Sequence, residues 1–427
     1  MPIADAVRAS LARGSWIRKM FEAGIALKAR LGADAVFDFS LGNPDLEPPP
    51  EFTAALKAAA GSDEPGAHAY MINSGYPFAR AAMSEKVALE HGVPTTADDI
   101  VMTVGAAGAI NVILGTVLNP GDEVVVIRPY FAEYSAYVDN HRGVLVVADS
   151  APDFSLDPAA VARVLSPRTA AVILNSPNNP TGRVYPPDAI AALGAVLSAH
   201  ASRVGRAPYL IVDEPYRDIV YDGLEVPPVL SAYPESIVAS SFSKTLSIPG
   251  ERLGYIAVNP ACAEKALLVS GLSTLNRVLG FVNAPALMQR AVAASWRAKA
   301  DVSRYARRRD MLAAILTEAG IRFAKPEGAF YLFCEVPEGS PAGSSGAAGA
   351  GSPAAAPGQT AASPGQTAGI SETRDVTFAM ALKENGVLSV PGVGFGYPGW
   401  IRLCYCVPEK TIEGSRKGFM ATMAGWT

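Results

Sequence analysis

Lys244 stands in Ser240-Ser241-Phe242-Ser243-Lys244-Thr245-Leu246-Ser247-Ile248-Pro249-Gly250-Glu251-Arg252-Leu253-Gly254-Tyr255, between the apolar runs Ile237-Val238-Ala239 and Tyr255-Ile256-Ala257-Val258. A lysine at the ends of buried strands is partly desolvated, which disfavours its ammonium form and leaves a nucleophilic amine. Such an amine condenses with a carbonyl to form a Schiff base. The hydroxyls of Ser241 and Ser243, with the Arg252 guanidinium eight positions after the lysine, suit a phosphate dianion. A carbonyl and a phosphate on one small molecule describe pyridoxal 5′-phosphate (PLP). A polar surface loop with a solvated lysine shares this spelling, so other stretches must decide.

Four of them carry chemistry, and a lone arginine adds to them. Val212-Asp213-Glu214-Pro215-Tyr216 closes an apolar strand, and a carboxylate at that edge suits a protonated pyridine nitrogen. Tyr216, three residues on, suits the phenolic oxygen of the same ring; an N-cap aspartate with a packing tyrosine is the plainer alternative. In Leu174-Asn175-Ser176-Pro177-Asn178-Asn179-Pro180-Thr181-Gly182, two prolines and a glycine stiffen the chain and Asn179 offers an amide to a ligand oxygen, although a turn alone would also use these residues. Val104-Gly105-Ala106-Ala107-Gly108-Ala109 joins a strand to a helix, where free backbone N–H groups meet a phosphate or small residues permit close packing. In Pro129-Tyr130-Phe131 an aromatic follows a strand, placed to stack on a planar ring or to join the core. Arg402, the lone cation of the apolar run Ile401–Tyr405, is costly to bury unless it meets an anion: a substrate carboxylate or a structural glutamate.

The elements that must hold these residues alternate from position 100 onward. Strands are expected at Ile100–Val104, Glu123–Ile127, Val144–Val147, Ala171–Leu174, Tyr209–Asp213, Ile237–Ser240 and Tyr255–Val258. Helices are expected at Ala106–Leu118, Tyr130–His141, Pro158–Leu165 and Pro187–His200. Near-continuous apolar strands alternating with helices give an α/β fold, a large domain whose mostly parallel sheet is covered by helices on both faces. Further helices are read at Ala4–Leu31, Pro50–Ala60, Tyr76–His91 and, as one long region, Val292–Ala319. The rest forms a smaller α+β domain. The domain division is therefore an N-terminal segment 1–49 packing with the small domain, a large domain 50–291 and a small domain 292–427. Gly339–Gly369 contains only Ala, Gly, Ser, Pro, Gln and Thr, and without apolar bulk it reads as a flexible surface insertion.

Composition narrows the partners. The chain has 427 residues, 49% hydrophobic and 18% charged, with a net charge of −4. No basic face for nucleic acid is implied, and no apolar run is long enough to span a membrane. Cys262, Cys334, Cys404 and Cys406 lie in apolar surroundings and are expected as buried thiols in a reducing cytosol, so the localisation is read as cytoplasmic. Cys404 and Cys406 would share one face of a strand. The four histidines show no metal-ligand spacing, and no metal site is expected.

With these residues in hand, the chain resembles the class I/II aminotransferases, PLP enzymes of fold type I. Asn-Asn-Pro-Thr-Gly (178–182), Asp-Glu-Pro-Tyr (213–216), Ser-x-Ser-Lys (241–244) with Arg252, and the late Arg402 occur in the family's order, and the likeness covers nearly everything outside Gly339–Gly369. The resemblance implies that Lys244 is the Schiff-base lysine and general base, Asp213 the partner of the ring nitrogen, and Asn179 and Tyr216 the donors to the phenolic oxygen. It implies a phosphate cup of Gly105, Ala106, Ala107, Ser241 and Arg252, to which the hydroxyl spacing adds Ser243, with Phe131 stacked on the ring. Alanines at 106 and 107 depart from the hydroxyl-bearing cups common in the family. Gly42, Asn179 and Arg402 would hold the substrate carboxylate, and Tyr70 would reach the phosphate of a neighbouring subunit in a homodimer. The implied activity is ping-pong transamination between an L-amino acid and a 2-oxo acid. A C–S lyase or decarboxylase would use the same lysine and aspartate; a PLP-sensing regulator or a scaffold is a remoter alternative. Arg277 is a candidate for a second substrate carboxylate, or else a surface ion-pair partner.

Overall fold

The computed structural model describes residues 3–5, 7, 8, 11, 14–341 and 373–427. A short strand β1 (Phe37–Asp38) precedes the central sheet, which comprises β2 (Ile100–Thr103), β3 (Glu123–Arg128), β4 (Val144–Asp149), β5 (Thr169–Asn175), β6 (Tyr209–Asp213), β7 (Ser236–Ser241) and β8 (Gly254–Val258). Across the sheet the order is β2-β8-β7-β6-β5-β3-β4, parallel except that β8 runs antiparallel to both of its neighbours. Both faces are covered, which is why the strands read as unbroken apolar runs. Val172 and Leu174 pack toward helices Pro77–His91 and Pro187–Val204, whereas Ala171 and Ile173 pack toward helices Gly105–Val117 and Lys265–Val278.

This topology concentrates polar loops at one edge. The carboxyl ends of β2, β5, β6 and β7 all emerge there, and β8, running the other way, begins there. Gly254 at the start of β8 pairs with Thr103 on one side and Ser241 on the other. The residues after β2, those before β8 and those after β7 are thereby brought to one place, although the first of these segments is far from the other two in the chain.

A second unit carries β9 (Phe323–Ala324), β10 (Tyr331–Glu335), β11 (Val387–Leu388), β12 (Val390–Pro391) and β13 (Trp400–Cys404), in an antiparallel sheet β12-β13-β10-β9 and a parallel β1–β11 pair. Helices Val302–Glu318, Arg374–Glu384 and Glu409–Ala424 pack on a separate core around Phe330, Leu332, Phe378 and Phe419. The chain beyond β1 is stitched to this unit: Phe39 donates its N–H to the Leu388 carbonyl at 3.0 Å and accepts from Cys404 at 2.9 Å. Buried Arg308 then grips Asp45 through both oxygens, at 2.6 and 2.9 Å, so the turn carrying Gly42 is anchored at both ends.

Three expectations are corrected. The helix anticipated over Ala4–Leu31 has its described continuous part at Trp16–Leu31, because Gly14 is left-handed (φ 51°) and Ser15 is extended. The region Val292–Ala319 is two helices, Ala286–Ser295 and Val302–Glu318, with Asp301 capping the second through the Ser303 amide. The low-complexity stretch expected from Gly339 is paired at its start: Ser340 and Thr427 exchange backbone hydrogen bonds at 2.9 and 3.0 Å, holding the chain to Pro341. Positions 342–369 lie outside the described residues. Helix Lys265–Val278 has no counterpart in the sequence reading. No helix of the described residues is long and apolar enough to cross a membrane.

Replacing Arg308 with methionine would strand the Asp45 carboxylate in a partly buried site, at a cost of about 2–4 kcal/mol. Thermal denaturation is expected to show that loss as a lower midpoint, and Arg308→Met combined with Asp45→Asn should recover part of it. An unchanged midpoint in the single variant would remove the pair from the account of how Gly42 is held.

Candidate active site

At the polar edge lies a cleft of about 310 Å³ shared by the two units. Gly42, Ala106, Ala107, Phe131, Asn179, Asp213, Tyr216, Ser241, Ser243, Lys244, Arg252 and Arg402 all line it. Gly105 stands just behind Arg252. It is left-handed (φ 72°), and a Cβ there would come 2.9 Å from Nη2 of Arg252. Gly254 is fixed by an equally tight approach, since its Cβ would lie 2.5 Å from the Ser240 carbonyl and 2.7 Å from the Gly105 carbonyl carbon. The spacing G-x-R-x-G thus has its physical origin in the second glycine, which lets β8 start against the loop after β2.

Lys244 occupies a four-residue helix, Phe242–Thr245, directly after β7. Its Nζ donates to the Gly42 carbonyl at 2.6 Å and lies 5.5 Å from the Phe330 ring centre. Burial depresses its pKa below that of a free lysine, and the charges of Arg402 and Arg252 push the same way against the two nearby thiols. An amine that gives up its proton readily is the form that attacks a carbonyl.

Asp213 ends β6. One carboxylate oxygen, Oδ2, accepts from the Tyr134 hydroxyl, while Oδ1 is buried without a partner among the described residues. Burial lifts this carboxyl to about 7, with the neighbouring Glu214 charge adding to the rise and the Tyr134 hydrogen bond opposing it. Glu214 faces away from the cleft. Burial would raise it too, but Arg217 at 2.9 Å and His91 at 3.0 Å hold it well below the usual carboxylate range. His91 accepts the Val229 amide at Nδ1, so Nε2 carries the hydrogen shared with Glu214. Glu90, His91 and Glu214 converge within metal-ligand reach, a cluster the histidine spacing did not reveal, but Lys86 and Arg217 already pair with its carboxylates.

Arg402 is buried on β13 and forms no ion pair with a described residue. Its Nη1 donates to Oδ1 of Asn179 at 3.1 Å, its Nη2 to the Ser40 carbonyl at 2.6 Å, and Nε has no partner among the described residues. The guanidinium lies over the rings of Tyr331 and Phe395 at 4.7 and 4.9 Å. A buried cation supported only by neutral groups has capacity for an anion. Because Asn179 Oδ1 faces Arg402, its amide hydrogens are left for a second acceptor. Tyr216 shares a 2.6 Å hydrogen bond with the Tyr331 hydroxyl.

Two residues named earlier lie elsewhere. Tyr70 is 90% exposed and outside this chain's cleft. Arg277, at the end of its helix, is exposed and does not line the cleft. Tyr130 is turned toward Gly396, so Phe131 is the aromatic at the cleft. The sequence reading missed Tyr134 and Tyr331. Tyr134 follows Pro129-Tyr130-Phe131 by three residues, but nothing in that spelling points to a carboxylate 79 positions away. Tyr331 likewise meets Tyr216 only through the pairing of the two units. Cys404 and Cys406, both free and buried, approach to 3.1 Å even though β13 ends at Cys404.

A lysine amine and a carboxylate oxygen unpartnered among the described residues, at the carboxyl edge of a mostly parallel sheet and sharing a cleft with a guanidinium from the second unit, make a site suited to covalent catalysis on an anionic carbonyl compound. The sequence pattern of the family "Aminotransferase class I and II" matches residues 34–415, and the chain belongs to that family. It is 31% identical over 397 residues to an aspartate/prephenate aminotransferase of Thermus thermophilus, covering 91% of each chain. A solved aminotransferase of Eubacterium rectale superposes with a TM-score of 0.88 at 32% identity, covering 100% of both chains. The Thermus thermophilus aspartate aminotransferase solved with maleate superposes at 0.80 with 26% identity, covering 99% of this chain and 100% of that one.

Asp213 carries a proton more readily in the fold than in the unfolded chain, so its stabilising contribution is complete below about pH 4 and disappears as pH rises through about 7. Measured by denaturant titration, the cofactor-free wild type should lose about 2–4 kcal/mol relative to Asp213→Asn across that window. Parallel pH profiles for the two proteins would contradict the assignment.

Proposed function

We propose that this protein is a PLP-dependent aminotransferase that moves the amino group of an L-amino acid to a 2-oxo acid in two half-reactions. The observation that carries the proposal is the unpartnered Asp213 Oδ1 facing the same cleft as the Lys244 amine, since a protonated ring nitrogen is the donor it lacks. Bound there, PLP supplies a carbonyl carbon and an electron-withdrawing ring. Lys244 would hold the cofactor covalently and, once displaced, move a proton to and from the substrate Cα. Asp213 would keep the ring nitrogen charged, Asn179 and Tyr216 would donate to the phenolic oxygen, and Phe131 would stack on the ring. Gly105, Ala106 and Ala107, at the start of a thirteen-residue helix, offer backbone N–H groups to the phosphate, joined by Ser241, Ser243 and Arg252. Arg402, Asn179 and Gly42 would hold the α-carboxylate shared by donor and acceptor.

The same reading divides the chain into an N-terminal segment 1–49, a large unit 50–291 and a small unit 292–427, with substrate held between the last two. It also supplies a role for the exposed apolar residues Tyr70, Ile72, Leu267 and Val278, at 56–90% exposure, as the face covered by a second copy. Tyr70 would then reach the neighbouring phosphate.

Lys244→Ala should abolish transamination in a screen of amino donors with 2-oxo acids, while circular dichroism stays unchanged. Borohydride reduction and mass spectrometry of the wild type should find the pyridoxyl group on Lys244; a label elsewhere, or turnover by the variant, would defeat the proposal. Sedimentation should give a dimer, and Tyr70→Phe should weaken PLP retention in equilibrium dialysis about tenfold, as expected for one lost charge-assisted hydrogen bond. A monomer that retains PLP normally would disprove the shared site.

A further inference from the structure

We infer that Cys404 and Cys406 form an oxidation site, which a small hydroperoxide converts to an intramolecular disulfide behind the Gly42 turn. The chemistry of the pair stands by itself; its consequence for turnover rests on the aminotransferase reading. Thiols at positions i and i+2 of one extended strand would have Cα atoms about 7 Å apart, at the limit of what a disulfide spans. Here β13 ends at Cys404, and the two sulfurs come to 3.1 Å, so bonding distance at about 2 Å is only about 1 Å away. Both side chains also fill the core around Phe330 and Phe419, as small apolar residues would. Packing alone asks for neither the sulfur contact nor the hydrogen bond that Cys406 Sγ donates to the Asn43 carbonyl at 3.2 Å. Cys262, by contrast, donates to Glu235 at 2.9 Å, and Cys334 is buried within β10.

The pair brackets the stretch of backbone that steadies Lys244 and Arg402. Cys404 donates its N–H to the Phe39 carbonyl at 2.9 Å, and Cys406 reaches Asn43, the neighbour of the Gly42 carbonyl that accepts from Lys244. Burial opposes ionisation of both sulfurs. At Cys404 the contact with Cys406 and the positive charge of Arg402 outweigh it, and the pKa falls below that of a free thiol, whereas Cys406 is pushed up. The two residues are 0% and 2% exposed and neither lines the cleft, so local opening admits a small oxidant before a bulky one. The Cys404 thiolate attacks one peroxide oxygen; the O–O bond breaks, a sulfenic acid forms, and the departing hydroxide takes up the proton that Cys404 released. Cys406 then attacks Cys404 Sγ, the S–O bond breaks, and the oxygen leaves with the Cys406 proton as a second water. Two thiols are oxidised by two electrons, and one peroxide is reduced to two waters. The Asn43 carbonyl loses its donor in the product. Intracellular disulfides of this kind are reversible, and a dithiol restores the reduced pair.

The test uses the full chain loaded with PLP, freed of reductant, exposed to hydrogen peroxide, then denatured in iodoacetamide and digested with trypsin. The peptide Leu403–Lys410 should lose two hydrogens and resist alkylation, both reversed by dithiothreitol, while Cys262 and Cys334 stay alkylated. Oxidised glutathione at equal concentration should act at least about tenfold more slowly, because access governs the rate. With dimedone in the denaturing quench, Cys406→Ser should trap a sulfenic acid on Cys404, and Cys404→Ser should trap far less on Cys406. Oxidation of the wild type should raise, by about threefold, the amino-donor concentration that half-saturates loss of the cofactor's visible absorbance, as one weak hydrogen bond is lost. Full alkylation of both cysteines, a mixed disulfide or a sulfonic acid as main product, or faster oxidation by glutathione would overturn the site. More sulfenic acid on Cys406 than on Cys404 would overturn the order of attack. A disulfide that leaves the half-reaction unchanged would overturn its link to the Gly42 turn. A reduced enzyme that reacts with no donor would instead bring down the aminotransferase reading, leaving the mass-spectrometric result untouched.

Discussion

Two basic side chains with no anion paired to them among the described residues set the terms for the whole structure. The Lys244 ammonium and the Arg402 guanidinium are held by the carbonyls of Gly42 and Ser40, each at 2.6 Å, on one short stretch of backbone. Neutral carbonyls offset only part of the cost of taking such groups from water, so both side chains keep an unfilled demand for negative charge or for a reacting carbon. The fold tolerates this because the stretch is over-determined: β1 pairs with β11, Phe39 bonds to Leu388 and Cys404, and Asp45 is gripped by Arg308. Lys244 comes from the large sheet and Arg402 from the small one, so the same backbone that steadies both cations joins the two units at the cleft.

The carboxylates are sorted by the opposite logic. Asp213 and Glu214 are adjacent, but the chain leaving β6 turns one toward the cleft and the other toward helix Pro77–His91. Glu214 receives Arg217 and His91 and stays ionised; Asp213 receives one tyrosine hydroxyl and is left half satisfied. Burial is the main cause of the raised proton affinity of Asp213, and the like charge retained on Glu214 adds to it. A carboxyl that holds a proton near neutral pH is thus produced mainly by its own burial beside a neighbour that stays charged.

Much of the fold was legible because its determinants are local. The parallel strands are buried on both faces and therefore spell themselves as runs such as Ala171-Val172-Ile173-Leu174, and the turn between β7 and β8 carries its serines, lysine and arginine within a few residues. The misjudged boundaries have equally local causes that composition hides. Ala4–Leu31 is helical in pattern, but Gly14 takes a left-handed conformation that interrupts it. Gly339–Pro341 has the composition of the insertion, yet it is held by pairing with the far end of the chain.

By itself the sequence determined the sheet class, the lysine, the aspartate and the candidate phosphate-binding loops, because each is written in a contiguous stretch that ends or begins a strand. Only the tertiary structure decided which side chains complete them. Tyr134 reaches Asp213, Tyr331 reaches Tyr216, and Arg402 turns out to have no carboxylate partner among the described residues, since these relations depend on strand order and on the docking of the second unit. Hydrophobic periodicity records which face of an element is buried, but it carries no record of the distant residue that the face will meet.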